Sequence, residues 1–258
     1  MILNSIRRYN VKFREEYGQT VIACDRTSWR KEAFPQYKGK RKTSRDESPL
    51  DWNKLFGFLN NIRDEISEEM SFPVVYVDRA EADDVIAVLA ESTQEFGQNE
   101  PVMIVSSDKD FIQLHRYSNV KQFSPMKRAA LKVDDPVYYK FEHVCKGDSS
   151  DGVPNVLSAD GTFVEGGRQS PLRAKKIQEW YENRENLLDI MGAATYRNYC
   201  RNRLVIDLNY IPEDIQTNIM DKYKSQQGKN NNKVLNYLIT KRCSLLVECA
   251  KDFFTTEK

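Results

Sequence analysis

The sequence predicts an α/β fold: a doubly wound, mainly parallel sheet followed by a mostly helical annex. Short β-branched runs of strand length alternate with segments of helical period. Each of the first three runs ends in carboxylates, and the alternation stops near residue 134.

The elements follow in order. Ile2, Ile6, Tyr9, Phe13 and Tyr17 recur at helical spacing, so the chain opens with a helix. Val21–Cys24 reads as a buried strand. Residues 26–48 have no apolar period and are expected to form a mobile loop, or arch. Trp52, Leu55, Phe56, Leu59, Ile62 and Ile66 mark a long amphipathic helix. Val74–Val77 is a second strand, and Ala80–Gln94 a helix with Ile86, Leu89 and Ala90 inward. Val102–Val105 is a third strand, followed by a brief helix at Phe111–Leu114 and a fourth strand at Val120–Phe123. Asn230–Asn232 within GKNNNK predicts a turn or link. Two regions result: 1–134, an α/β metal-site region with the arch 26–48, and 135–258, a helical region for nucleic-acid binding and support. Domains of this class usually open on a central strand, so the opening helix implies a segment upstream of Met1.

Composition narrows the function. The 258 residues carry 39 Lys and Arg against 38 Asp and Glu, so any affinity for polyanions must come from local segregation of charge. Residues 26–47 hold eight basic side chains against three acidic ones, while acids gather at 78–84, 108–110 and 148–151. Five cysteines without a CxxC pair predict reduced thiols in a cytosol. No apolar run is long enough to span a membrane and no secretory leader precedes the first helix, so a cytoplasmic monomer is expected. Only His115 and His143 are present, which argues against a catalytic zinc site.

The carboxylates carry the chemistry. Strand one runs into Asp25, strand two into Asp78, Glu81, Asp83 and Asp84, and strand three into Asp108 and Asp110. Ligands of open parallel sheets bind beyond the carboxyl ends of the strands, so these groups converge on one crevice. Crowded carboxylates repel one another unless a cation neutralises them. An all-oxygen set selects a hard ion, Mg²⁺ or Mn²⁺, and two ions about 3.5–4 Å apart suit phosphodiester hydrolysis. Each group also has a plainer reading. Asp25 alone would be a helix cap, Glu81–Asp84 an acidic first turn favoured by the helix dipole, and Lys146–Gly152 an Asp/Gly loop. The arch joins Arg30, Lys38 and Arg41 with Trp29, Phe34 and Tyr37, cations for phosphates and rings for unpaired bases; its plainer reading is a solvated loop.

The ordered set Asp25, Trp29-Arg30, Pro35-Gln36-Tyr37-Lys38-Gly39-Lys40-Arg41, Glu81-Ala82-Asp83-Asp84, Ser106-Ser107-Asp108-Lys109-Asp110 and Lys146-Gly147-Asp148-Ser149-Ser150-Asp151-Gly152 resembles the 5′-nucleases. That family includes flap endonucleases and the exonuclease domain of bacterial DNA polymerase I; the similarity is strongest to its RNase H branch in T-even bacteriophages. The resemblance implies that Asp25, Asp83 and Asp108 hold a first Mg²⁺, with Glu81 and Asp84 completing or ordering that shell. It implies Asp110, Asp148 and Asp151 for a second ion, partly through water, with Mn²⁺ able to substitute. Arg30 and Lys38 take the role of arch cations that grip the scissile phosphate, beside Tyr37 and Arg41. Lys146, Arg168, Arg173, Lys175 and Lys176 are expected to contact the duplex backbone. The implied reaction is 5′→3′ removal of RNA primers and 5′ ends from RNA–DNA and DNA duplexes, flaps or forks during replication. Single-strand-binding protein or a sliding clamp would be partners.

The sequence departs from the family in two respects: the family's first strand carries another ligand aspartate, for which this chain has no counterpart, so weaker binding of the first metal is expected; and after Pro154 the stretch 158–176 stands where the family often has a Gly-rich helical hairpin, so duplex contacts are expected to fall to Arg168, Arg173, Lys175 and Lys176. Two other classes stay open: a branched-DNA-binding protein of the same fold that does not cut, and a phosphatase or phosphotransferase acting on a small substrate.

Overall fold

The computed structural model describes residues 1–228 and 233–254, together with the backbone but not the side chain of Lys42. Helix α1 spans Ile2–Tyr17 and leads to strand β1, Ile22–Ala23. The arch follows with two short helices, α2 (Arg30–Ala33) and α3 (Lys40–Asp46). Next come α4 (Trp52–Glu69), β2 (Val74–Val75), α5 (Ala82–Ser92) and β3 (Val102–Val105). A 3₁₀ helix at Asp110–Arg116 precedes β4 (Val120–Ser124) and β5 (Ala129–Leu131). Thereafter the regular structure is helical: α6 (Pro136–Lys146), α7 (Ala174–Glu182), α8 (Leu187–Met191), α9 (Ala193–Ile206), α10 (Glu213–Gln226), α11 (Val234–Thr240) and α12 (Ser244–Val247). The turn expected at Asn230–Asn232 lies outside the described residues. Among the described residues no helix is long and apolar enough to cross a membrane.

Parallel pairing holds as expected. β1 pairs with β2 through Ile22 opposite Val74, and β3 with β4 through Val102 opposite Val120. These pairs belong to two separate small sheets, and β5, which the sequence pattern did not flag, adds antiparallel to β4. One core joins Val75, Val85, Ala87, Val88, Ile104, Phe111 and Leu114 to Leu208, Ile211, Ile215 and Ile219. A second joins Ile66, Met70, Phe72 and Val74 to Val234, Leu238 and Phe253. The helical region is thus packed directly onto the strands, which fixes the loops at their ends.

Two expectations are corrected here. The segment 26–48 is no mobile loop: Trp29, Phe34 and Tyr37 are buried, and they tie α2 into the interior. Their spacing matches neither a helix nor a strand because each ring enters a different part of the core. Helix α4 forms as expected, but most of its apolar stripe is not covered. Ile66 is buried, whereas Leu55, Phe56 and Leu59 are exposed because only the last turns of the helix reach the core.

Candidate metal centre

The site is assembled by three helix ends and one loop. Asp135 accepts hydrogen bonds from the Val137 and Tyr138 amides, and Pro136 occupies the first turn, so α6 starts with a strong cap. The helix stops at Gly147, whose φ of 67° no side chain adopts comfortably and where a Cβ would lie 2.4 Å from the Val153 carbonyl oxygen. That stop places His143 on the last turn and Asp148 one residue beyond it. At the start of α5 the Glu81 amide donates to Asp84 Oδ2 at 2.9 Å and the Ala82 amide to Asp25 Oδ1 at 2.8 Å.

Two groups of side chains come together. Asp83, Asp108 and Asp110 offer oxygens within 4.8 Å of one another, and so do Asp110, His143 and Asp148. Asp110 belongs to both groups. An open cleft of about 420 Å³ lies over them, lined by Asp108, Asp110, Tyr139, His143 and Asp148. A smaller recess behind it is lined by Asp83, Asp110, Asp148 and Asp151 with Arg30 and Tyr37.

The electrostatics are those of a site that wants positive charge. Burial, then the Asp108 and Asp110 carboxylates, push Asp83 up to about 7. Burial also drives Asp110 up to about 6; His143 opposes this, while Asp108 and Asp148 reinforce it. Asp148 goes the other way. Burial works against its charge, but His143, Ser150 Oγ and the Asp151 amide hold it below the usual carboxylate range. His143 is held above its ordinary value, since Asp148 and Asp110 outweigh its burial.

These shifts predict an inverted pH response in the metal-free protein. Asp83 and Asp110 hold protons in the native state that the unfolded chain releases near the ordinary aspartate value of 3.8. The native state therefore binds more protons between about pH 4 and 7, and stability falls as pH rises through that window. Above about pH 6.5, the ordinary histidine value, the raised His143 acts in the same direction. A loss of about 2–4 kcal/mol, roughly 5–10 °C in Tm, is expected between pH 5 and pH 8. Millimolar Mg²⁺ or Mn²⁺ should restore it at pH 8 and do much less at pH 5. Calorimetry with and without chelator checks this, and a metal-independent Tm at both pH values would contradict it.

Other expected site residues stand elsewhere. Asp84 is fully buried, and both its oxygens are taken by the Arg30 guanidinium and the Glu81 amide. Glu81 receives Arg30, Tyr37 and Lys38. Both carboxylates thus tie the arch to the start of α5. Asp25 is exposed and caps α5 through Ala82; among the described residues it joins neither carboxylate group. Arg30, expected to grip phosphate, is itself enclosed, its side chain 4% exposed and its donors spent on Glu81, Asp84 and the Val205 carbonyl. Burial opposes its charge, but Asp84 and Glu81 raise its pKa regardless. Tyr37 is also interior. Its hydroxyl lies 2.9 Å from Glu81 and 2.7 Å from Asp151, and its single proton can serve only one carboxylate at a time.

Lys38 holds a φ of 55°, rare for a side-chain-bearing residue, while its amide donates to the Asp151 carbonyl at 2.7 Å. This conformation sets its ammonium against Glu81 and within 3.5 Å of Asp151. Arg41 reaches Asp151 from the exposed side. Lys146 is exposed and paired with Glu142. Arg168 is exposed, as are Arg173, Lys175 and Lys176 at the start of α7. His143 was not singled out as a site residue. Its position on the last helical turn before Gly147-Asp148 was the one signal available.

Comparison with known proteins decides what this arrangement is. Residues 1–142 match the family model described as the 5′-3′ exonuclease N-terminal resolvase-like domain, and residues 137–253 match that of the T4 RNase H C-terminal region. The chain belongs to the 5′-3′ exonuclease family. This family member is 33% identical over 263 residues to Ribonuclease H of Enterobacteria phage T4, covering 98% of the chain and 85% of the relative. Its fold matches the T5 D15 protein co-crystallised with metal ions (TM-score 0.64, 19% identity, 86% of this chain and 91% of that one). It also matches the bacteriophage T5 D15 flap endonuclease in a complex with DNA and metal ions (TM-score 0.59, 19% identity, 96% and 90%). Membership makes the chain a phosphodiesterase of resolvase-like α/β fold with a helical C-terminal region. The relatives' names are those of nucleases and give no support to a DNA-binding protein that does not cut.

Proposed function

We propose that the chain is a Mg²⁺-dependent 5′→3′ nuclease that uses two ions. It removes RNA primers and 5′ ends from RNA–DNA and DNA duplexes, flaps and forks. The observation that carries this reading is the pair of ligand groups sharing Asp110 beneath an open cleft, beside an arch whose cations point at carboxylates of the same site. The donor set fits divalent cations: burial and neighbouring carboxylates raise Asp83 and Asp110 above the usual aspartate range, and the buried Nδ1 of His143 has no hydrogen-bond partner. Bound there, such ions supply an acidified water and neutralise the leaving oxygen of a phosphodiester.

The chain's own residues do the rest. Asp83, Asp108 and Asp110 would hold one cation, and Asp110 and Asp148 the other. Asp108 is steadied by Ser106 Oγ, which accepts its amide at 3.1 Å, and by the buried Gln122, whose amide nitrogen donates to its carbonyl. Arg30 and Tyr37 keep Glu81, Asp84 and Asp151 in place from within. Lys38 and Arg41, which both reach Asp151, meet the scissile phosphate and its neighbour, and Lys38 adds charge to the transition state. Arg173, Lys175 and Lys176 stand at the start of α7, where the helix dipole adds to their field, and with Arg168 and Lys146 they hold the duplex backbone. Replication proteins such as a single-strand-binding protein or a sliding clamp would deliver the substrate.

A 5′-labelled RNA–DNA primer duplex tests the reading. Short products from the 5′ end are expected on titrating Mg²⁺, and none with excess EDTA. Cleavage that persists in EDTA would overturn it, and turnover of a small phosphomonoester in its place would mark a phosphatase.

A further inference from the structure

Of the two groups beneath the cleft, one differs chemically. Asp83, Asp108 and Asp110 offer oxygen alone, whereas Asp110, His143 and Asp148 include an imidazole. His143 Nδ1 lies 3.4 Å from Asp110 Oδ1, and Nε2 lies 3.7 Å from Asp148 Oδ2. Both separations exceed the hydrogen-bond range of about 2.7–3.2 Å. One ring nitrogen, one Asp110 oxygen and one Asp148 oxygen lie within 4.8 Å of one another, near enough for a single cation to draw them together. The ring is 15% exposed, and Nδ1 is buried without a hydrogen-bond partner. Such an atom is costly unless something occupies it. The ring's position is imposed by the fold: α6 packs along the 3₁₀ helix that begins with Asp110, Tyr139 meets the imidazole edge-on at 6.1 Å one turn earlier, and Gly147 turns the chain so that Asp148 faces back.

We propose that His143 is a nitrogen ligand of the second cation, shared with Asp110 and Asp148, and that this position prefers a borderline transition ion such as Mn²⁺ or Co²⁺ to Mg²⁺. The two positions of the site are then unlike. The all-carboxylate group is indifferent between hard ions, and the imidazole group follows the order in which nitrogen donors favour transition metals. This inference rests on the two-ion reading of the cleft.

The chain has only two histidines, so a spectroscopic signature can be assigned. Pulsed electron paramagnetic resonance of Mn²⁺ added to the metal-free full chain should show ¹⁴N coupling from a directly bound imidazole. The coupling should vanish in His143→Gln and persist in His115→Gln. Isothermal titration should show His143→Gln weakening one of two Mn²⁺ sites about tenfold, with Mg²⁺ affinity changed less than about twofold. If Mn²⁺ binds the unaltered chain without nitrogen coupling, or if the coupling survives in His143→Gln, the assignment of His143 is overturned while the two-ion site stands. If no divalent ion binds the unaltered chain, the two-ion reading itself fails. The wild-type spectrum decides the ligand even if the variant folds poorly.

Discussion

Asp83→Asn is expected to abolish cleavage and, at the same time, to stabilise the metal-free protein. Activity should drop at least about a hundredfold, since a ligand aimed at the reacting centre is lost and an amide oxygen brings no charge. Stability should move the other way at pH 8. There the Asp83 carboxylate is forced to ionise in a buried place beside Asp108 and Asp110, which is why it sits near 7. Removing that charge should raise the unfolding free energy by about 1–3 kcal/mol, the part of its burial and repulsion cost that relaxation leaves. At pH 5, where the native carboxyl already holds its proton, the gain should largely vanish. Urea unfolding at the two pH values in chelator, paired with a primer-cleavage assay, checks both halves. A variant that is inactive merely because it is unstable at pH 8 would refute the account. Opposed effects on stability and rate are what a preassembled, unneutralised cation site requires.

Arg30→Ala is expected to have the largest effect on stability of any single change in the arch, a loss of about 3–5 kcal/mol. The side chain is interior, bridges Glu81 and Asp84 and donates to the Val205 carbonyl at 2.8 Å. Truncation would leave the fully buried Asp84 carboxylate without its cation, and that uncompensated charge dominates the cost. Lys40→Ala, on the exposed side of the same arch, should change stability by less than about 0.5 kcal/mol. Thermal unfolding of the two variants at pH 7 distinguishes an internal brace from a surface phosphate contact. Comparable Tm values for both would restore Arg30 to the surface role.

Much of the fold was legible in the sequence. The opening helix, the paired strands β1 to β4, α5 and the helical second half are set by local period, and parallel order follows from strands separated by helices. β5 was not legible, because Ala129–Leu131 is too short and bland to carry a period. The arch was misread for the opposite reason: its rings anchor into separate cores, so tertiary packing, not periodicity, orders it. Within the site, Asp83, Asp108, Asp110 and Asp148 could be read from their places after strands or at a loop. The sequence could not separate them from Glu81 and Asp84, which share the same motif.

What the chain determines by itself is which residue types lie at which strand and helix ends, since that depends on neighbours a few positions away. Helical period, the Asp135-Pro136 cap and the glycine stop at residue 147 act at that range. Which carboxylates meet a cation and which meet an arginine depends on contacts between distant segments. Arg30 reaches Glu81 and Asp84 from more than fifty residues away and ties both acids to the arch. The packing of α6 on the 3₁₀ helix brings His143, thirty-three positions along the chain, beside Asp110 and so adds a nitrogen. Charge is a property of a residue, but its neutralising partner is a property of the packed structure. That is why the acids could be listed from the sequence and their division of labour could not.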